Sequence, residues 1–272
     1  MRLGYHTITW GGLTATAEGV TSVRDLRYRV AGDMARALHD IADAGYAGVE
    51  LFEGNVLELG DDLRRLLDET GLELVGVYTG AGFVFDDVRG EELARIAVSA
   101  DAAARAGASQ LVVGGGSPRA GGSHAGDLDR LVTGLDAVAD LAAERGLTAC
   151  FHPHLGTIVE APDAVDAVLD RSRIGFCPDT AHLAAGGGDP ADLVRRHGDR
   201  VRHVHLKDLD RASGAFRPLG TGDLDLDAVL AAVREVGYDD WLVVELDSFD
   251  GDPAEAARTS RAWLADRGFG AA

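Results

Sequence analysis

The 272 residues carry 45 acidic against 26 basic side chains, a formal net charge of −19, and 46% of them are hydrophobic. That balance argues against a nucleic-acid partner, whose affinity comes mostly from phosphate neutralisation. No apolar run approaches the ~20 residues that span a bilayer. The hydrophobic fraction is enough for one large α/β core, expected here as a single domain over residues 1–272. The N-terminal run Met1-Arg2-Leu3-Gly4-Tyr5-His6 enters a strand pattern directly, without the apolar stretch of a signal peptide, so a cytoplasmic location is expected. Cys150 and Cys177 sit in apolar runs without metal-type spacing and read as buried free thiols of a reducing compartment.

Strand-like runs at 2–8, 47–51, 72–78, 109–114, 148–152, 173–178, 201–206 and 241–246 alternate with helical runs. The helical runs lie near 32–44, 58–70, 89–106, 127–145, 161–171, 189–197, 225–236 and 253–267. Strand then helix, eight times over and without a Pro/Ser-rich linker, predicts an α/β fold of the (β/α)8 TIM-barrel type. A doubly wound sheet is the alternative, but no strand is followed by a Gly-x-Gly-x-x-Gly run, and Gly114-Gly115-Gly116 lacks the spacing and lysine of a phosphate loop. Glycines close many helices (Gly45, Gly71, Gly107, Gly146, Gly237), as C-caps do. The loops that follow strands are the long ones: 9–31, 79–88, 114–126, 180–188 and 207–224. In a barrel those loops build the active-site face.

Along the first strands, Tyr5, His6 and Trp10 could pack or face a ligand. Glu50 ends an apolar strand and is expected to serve the site, with Glu53 a weaker candidate. Strand three ends at Tyr78, and its loop brings Phe83 and Phe85 as candidate lid residues. His124, after glycines at a helix start, reads as surface.

The later strands carry the chemistry. In Cys150-Phe151-His152-Pro153-His154 two imidazoles sit two residues apart on one face, and the proline ends the ladder. Ile174-Gly175-Phe176-Cys177-Pro178-Asp179 places a carboxylate at a strand end, with His182 three residues on; such a carboxylate needs a cation or several donors. In Val201-Arg202-His203-Val204-His205-Leu206-Lys207, His203, His205 and Lys207 share a face, which makes a poor core. His203 lies one layer deeper. Trp241 to Asp247 ends in Glu245, with Asp247 the inward carboxylate if a bulge shifts the register. Adjacent parallel strands bring His152, Asp179, His205 and Glu245 together. Two nitrogens and two oxygens, without thiolates, suit one divalent ion: Mn or Co by preference, with Mg, Fe and Zn as alternatives. His154 could replace His152.

The Asp179-Thr180-Ala181-His182 and His203-Val204-His205-Leu206-Lys207-Asp208 segments, Gly220-Thr221-Gly222 and Val243-Val244-Glu245 together resemble the xylose-isomerase-like TIM-barrel superfamily. That superfamily holds sugar isomerases and epimerases, inosose dehydratases and endonuclease IV. The run His152-Pro153-His154-Leu155-Gly156-Thr157 resembles most the inosose dehydratase branch. The resemblance implies the ligand role directly for Asp179, His205 and Glu245, and by position for His152. Many sugar epimerases of the superfamily place a glutamate at the end of strand five; here position 149 is Ala and position 152 is His.

The expected function is therefore metal-assisted proton abstraction beside a ketone of a keto-sugar or keto-cyclitol, through an enediolate. Dehydration of the inosose type is the first reading, and isomerisation or epimerisation of a ketose the alternative. Glu245, His154 and Lys207 are the candidate acid/base groups. Glu50, His182, His6 and Tyr78 are the candidate substrate contacts, and a homo-oligomer is compatible with the chain. An endonuclease-IV-like phosphodiesterase conflicts with the acidic charge, and a barrel that has kept the fold without catalysis would hold no metal.

Overall fold

The computed structural model describes residues 1–15 and 26–270. Residues 16–25 of the expected 9–31 loop, and residues 271 and 272, lie outside the described residues. Eight parallel strands form the sheet: β1 (Arg2–His6), β2 (Gly48–Phe52), β3 (Glu73–Ala81), β4 (Gln110–Gly115), β5 (Thr148–Phe151), β6 (Gly175–Phe176), β7 (Val204–Leu206) and β8 (Trp241–Val244). Their order in space is β6-β5-β4-β3-β2-β1-β8-β7, so every neighbour in the sheet is a neighbour in the repeat. Bridges from Phe176 to Val201 and from Asp179 to His205 join the two outer strands, closing the ring of a TIM barrel.

The eight expected helices are present between or after the strands: Met34–Asp43, Asp62–Thr70, Arg89–Arg105, Asp127–Ala143, Pro162–Leu169, Pro190–Arg196, Leu226–Glu235 and Pro253–Ala265. Local chemistry explains their starts. Asp33, Asp189, Asp225 and Asp252 each accept a backbone N–H as N-caps, and Pro162, Pro190 and Pro253 occupy first-turn positions where no donor is needed. In the first helix Met34, Ala37, Leu38 and Ile41 form the buried stripe, spaced by three and four residues against the sheet. No helix among the described residues is long and apolar enough to cross a membrane.

Elements the pattern did not predict cluster on the site end. They are two short helices, Glu53–Leu59 and Thr180–Ala185, a 3-10 turn at Thr7–Trp10, an antiparallel pair of Leu13–Ala15 with Tyr28–Val30, and a hairpin of Asp208–Asp210 with Ala215–Arg217; the exception among the described residues is a 3-10 turn at Gly198–Arg200, just before β7. β6 is also shorter than expected, because Pro178 and the capping Asp179 turn the chain into the helix at Thr180.

The barrel interior changes character with height. Val75, Trp241 and Val243 pack together in one cluster, and Val112 with the free thiols Cys150 and Cys177 in another. Continuing along β5 and β8 by steps of two gives His152 and Glu245. The lower barrel is thus apolar and the upper barrel ionisable, from the strand period alone.

Phe83, expected as a lid residue, belongs to the core instead. It is fully buried, and its ring lies where a Cβ on Gly134 would fall, 2.4 Å from Cγ. It adopts a positive φ of 54°, held by its N–H on Glu92 Oε2 (3.1 Å). Phe85 is exposed, with the Arg119 guanidinium 4.1 Å over its ring. Trp10 packs edge-on to Tyr5 and donates to Asp40 Oδ2 (2.9 Å), and His124 is exposed.

Candidate active site

Four of the predicted residues converge at the C-terminal ends of β5 to β8. One ligand-type atom from each of His152, Asp179, His205 and Glu245 lies within 4.8 Å of the others, and all four side chains are buried. His152 Nε2 is 3.6 Å from Asp179 Oδ2 and 3.5 Å from Glu245 Oε2. His205 Nδ1 is 2.8 Å from Glu245 Oε2, yet the two are not in hydrogen-bond geometry. His152 Nε2, Asp179 Oδ2, His205 Nδ1 and Glu245 Oε2 all lack a hydrogen-bond partner. Buried polar atoms are rarely left so.

Their partners elsewhere show why these atoms face inward. Asp179 divides its oxygens: Oδ1 caps the helix at Thr180 by accepting from His182 N (2.8 Å), while Oδ2 turns to the cluster. His205 Nε2 lies 3.2 Å from Glu50 Oε2. Burial would lower the His205 pKa, but Glu50 and Glu245 raise it well above the ordinary value. A carboxylate only accepts, so Nε2 carries a proton, and in the neutral form that a metal takes Nδ1 presents a lone pair to the cluster. Two lone pairs 2.8 Å apart repel unless a cation lies between them. The four atoms lie close enough that one divalent ion would satisfy all of them, and this is how the residues fit a metal.

Glu50 and His6, expected as substrate contacts, lie deeper. Both are fully buried. Glu50 Oε2 accepts from His203 Nε2 (2.7 Å), and His6 Nε2 stands 3.7 Å from Glu50 Oε1. Burial alone would raise the Glu50 carboxyl; the imidazoles of His205 and His203 outweigh it and hold it well below the usual carboxylate range. Glu50 therefore braces His205 from behind, and His203 sits one layer down as its position in the strand predicts. Glu53 is buried in a separate network, pairing with Arg95 and accepting from Thr79 Oγ1 (2.7 Å) and Ser99 Oγ (2.6 Å).

Lys207 is fully buried beside the cluster. Its Nζ is 3.2 Å from Asp179 Oδ2, 3.2 Å from Glu245 Oε2 and 2.6 Å from Asp247 Oδ1. Burial would lower its pKa, but Asp179, Asp247 and Glu245 raise it above the ordinary lysine value. His182 Nε2 is 3.0 Å from the same ammonium, which donates only, so His182 accepts there and carries its proton on Nδ1, an atom without a partner. Asp247 Oδ2 lies farther from that nitrogen, at 3.4 Å. The His154 ring stacks on His182 at 3.7 Å between centroids. His154 Nδ1 is 2.7 Å from the Leu155 carbonyl oxygen, so that nitrogen carries the proton and Nε2 is the free acceptor. Burial, with His182 and His152 nearby, lowers its pKa to about 4.

A pocket of about 640 Å³, counting the solvent space at its mouth, opens beside the cluster. His154, Glu245, Asp247 and Thr157 line its polar side; Ile8, Tyr28, Phe52 and Tyr78 line the apolar side, with Gly80, Gly114 and Gly115. Of the other expected residues, Tyr78 faces this pocket with its ring edge on His152 (5.6 Å), whereas Glu50, His6, His182 and Lys207 are not in its wall. Phe216, from the hairpin after β7, was not picked out: it packs on His182 (5.4 Å) and over Lys207 (4.9 Å). Its only sequence signal is an apolar residue in a long polar loop.

A closed parallel barrel with a buried histidine–carboxylate cluster at the C-terminal ends of its strands is a TIM barrel whose site lies at the usual catalytic face. The chain belongs to the xylose isomerase-like TIM barrel family, whose model matches residues 38–267. It is 32% identical to the rhizopine catabolism protein MocC of Rhizobium meliloti, over 82% of this chain and 76% of that protein. It is also 32% identical to an inosose dehydratase of Lacticaseibacillus casei, where the match spans about half of each protein: 47% of this chain and 49% of the relative. Among solved structures, it superposes on the zinc-bound IOLI protein with a TM-score of 0.75 at 18% identity, covering 98% of this chain and 97% of that one. The 3-keto-D-glucoside 4-epimerase YcjR of E. coli gives a TM-score of 0.73 at 19% identity, covering 98% and 99%. At these identities the structural likeness establishes the fold.

Proposed function

We propose that this chain, acting as one barrel domain, is a divalent-metal-dependent enzyme on a keto-cyclitol or keto-sugar, and that its reaction is a dehydration of the inosose type. The observation that carries the reading is the set of four converging ligand-type atoms on His152, Asp179, His205 and Glu245, none of them in a hydrogen bond. These residues would hold one ion of the Mn, Co, Fe or Zn kind. Such an ion would supply Lewis acidity toward a ketone oxygen and the negative charge that proton loss places on it.

The remaining steps fall to side chains. His154 is neutral at pH 7, lines the pocket and offers Nε2 as a proton acceptor; it is the first choice of base, and Glu245, which also borders the pocket, is the second. The adjacent His182 accepts from the Lys207 ammonium on Nε2 and carries its N–H on an unpartnered Nδ1, so it can protonate the departing hydroxyl as the ammonium passes a proton to Nε2. Lys207 is a poor base, because three carboxylates hold it as an ammonium. It fits the task of neutralising them. The apolar wall of Tyr28, Phe52 and Tyr78 suits the C–H face of a ring.

Ketose isomerisation or epimerisation is the second reading, favoured by the same first half-reaction and by the epimerase fold likeness. The test is incubation of the Mn- or Co-loaded protein with a panel of ketoinositols and ketoses. Loss of one water by mass supports the dehydratase, a new isomer of unchanged mass supports the alternative, and no turnover on any member overturns both.

A further inference from the structure

Lys207 is the only lysine in the sequence; every other long cationic side chain is arginine. Its compact ammonium meets three carboxylates at once, on Asp179, Glu245 and Asp247. The next residue, Asp208, and the Gly220-Thr221-Gly222 run have no part in the proposed chemistry, yet they are built around each other. Asp208 is 1% exposed. Its Oδ1 accepts from the backbone N–H of Leu209 (2.9 Å) and Leu224 (3.2 Å), and its Oδ2 from Gly220 (2.9 Å) and Gly222 (2.9 Å). Those four donors fill the acceptor capacity of a carboxylate. Residue 222 has no room for a side chain, since a Cβ there would fall 2.4 Å from Asp208 Oδ1.

Asp208 also opens the hairpin in which it pairs with Arg217 and Leu209 pairs with Phe216. That pairing sets Phe216 with its ring over Lys207 Nζ and against His182.

We infer that Asp208 is a positioning residue of the site: by gathering four backbone N–H groups it fixes the hairpin whose Phe216 roofs Lys207 and His182, keeping the ammonium against Asp179, Glu245 and Asp247 and away from water. Water admitted there would compete for the ammonium and weaken every charge pair in the cluster. The inference rests on reading the four-residue cluster as the catalytic centre, but not on which ketone it takes.

The test uses the full-length protein and does not require turnover. Reductive methylation with isotopic formaldehyde and cyanoborohydride can label only Lys207 and the α-amino group of Met1, which serves as internal control. In the folded wild type Lys207 should label at least about tenfold more slowly than in urea, because reaction requires local opening. Phe216→Ala and Asp208→Asn should each raise the folded-state rate about tenfold, while Phe216→Leu restores protection. Deuterium uptake over 208–224 should rise in Asp208→Asn and not in Phe216→Ala. A merely structural Asp208 would lower Tm without moving the Lys207 labelling rate. Wild-type labelling as fast as in urea, or a folded Phe216→Ala protein with unchanged labelling, overturns the roof. Unchanged deuterium uptake in Asp208→Asn overturns the clamp. Should Asp208→Asn fail to fold, Gly222→Ala, whose Cβ would fall 2.4 Å from Asp208 Oδ1, replaces it in both measurements with the same expected and overturning results.

Discussion

Glu50→Gln is the most informative perturbation, because it changes one buried group that touches the proposed ligand set from behind. In the wild type the carboxylate accepts from His203 Nε2 at 2.7 Å and from His205 Nε2 at 3.2 Å. The amide keeps the shape, and its oxygen at the Oε2 position can still accept from both imidazoles, but the negative charge is lost and the amide NH2 at the Oε1 position stands 3.1 Å from His205 Nε2, donor against donor. A hydrogen bond to a charged group contributes about 1.5–3 kcal/mol, and loss of a carboxylate that orients a metal-bound histidine typically weakens metal binding by roughly 10–100-fold, about 1.4–2.7 kcal/mol. The two routes agree, so the Kd for zinc or cobalt should rise by roughly one to two powers of ten. Competition against a chromophoric chelator measures it, with Tm as the check that the barrel is intact. An unchanged Kd in a folded Glu50→Gln protein would show that Glu50 does not orient His205, and would remove the argument that places the His205 lone pair in the cluster.

His205→Ala and Glu245→Gln should each strip or greatly weaken metal binding and abolish turnover while the barrel still folds; full occupancy by elemental analysis in His205→Ala refutes the ligand assignment. Arg95→Leu leaves the buried Glu53 carboxylate with Thr79 and Ser99 but no cation, and should cost about 3–5 kcal/mol in urea unfolding, a large share of the roughly 5–15 kcal/mol of a typical domain. A loss below about 1 kcal/mol would mean the pair behaves as an exposed one. Burial raises the Glu92 carboxyl above its ordinary 4.5, against the backbone N–H groups of Gly82 and Phe83. The folded state then holds that proton more tightly than the unfolded chain, so the stabilisation is present below 4.5 and lost as pH rises through the raised value. The Tm difference between wild type and Glu92→Gln should therefore shift against the wild type from about pH 4 to 7, and a flat difference refutes the shift.

The sequence by itself determined which face and which end of each strand a residue occupies. Alternation at 201–207 put His203, His205 and Lys207 on one face, and Glu245, Asp179 and His152 followed from apolar runs that end in a polar residue. A side chain's face depends only on the two-residue period, and in a barrel the strand ends converge. Eight repeats likewise foretold the order of the sheet, since consecutive strands pair. The period also orders height within one strand, as with His203 below His205, but tertiary structure alone decided height between strands. Glu50 carries the same signature as the ligand carboxylates, but β2 pairs its Glu50 with His6 of β1, and this register leaves it under His205 rather than in the pocket wall. Phe83 reads as a loop aromatic, yet the helix holding Gly134 leaves a hollow for its ring. Asp179 is legible as either a cap or a ligand; in space its two oxygens do both. Lys207 reads as an acid/base candidate on the functional face, but its enclosure appears only when Asp247 and Phe216, from segments 40 and 9 residues away, close over it. Height and enclosure depend on the stagger between strands and on which loops fold back, and no strand's own pattern encodes either.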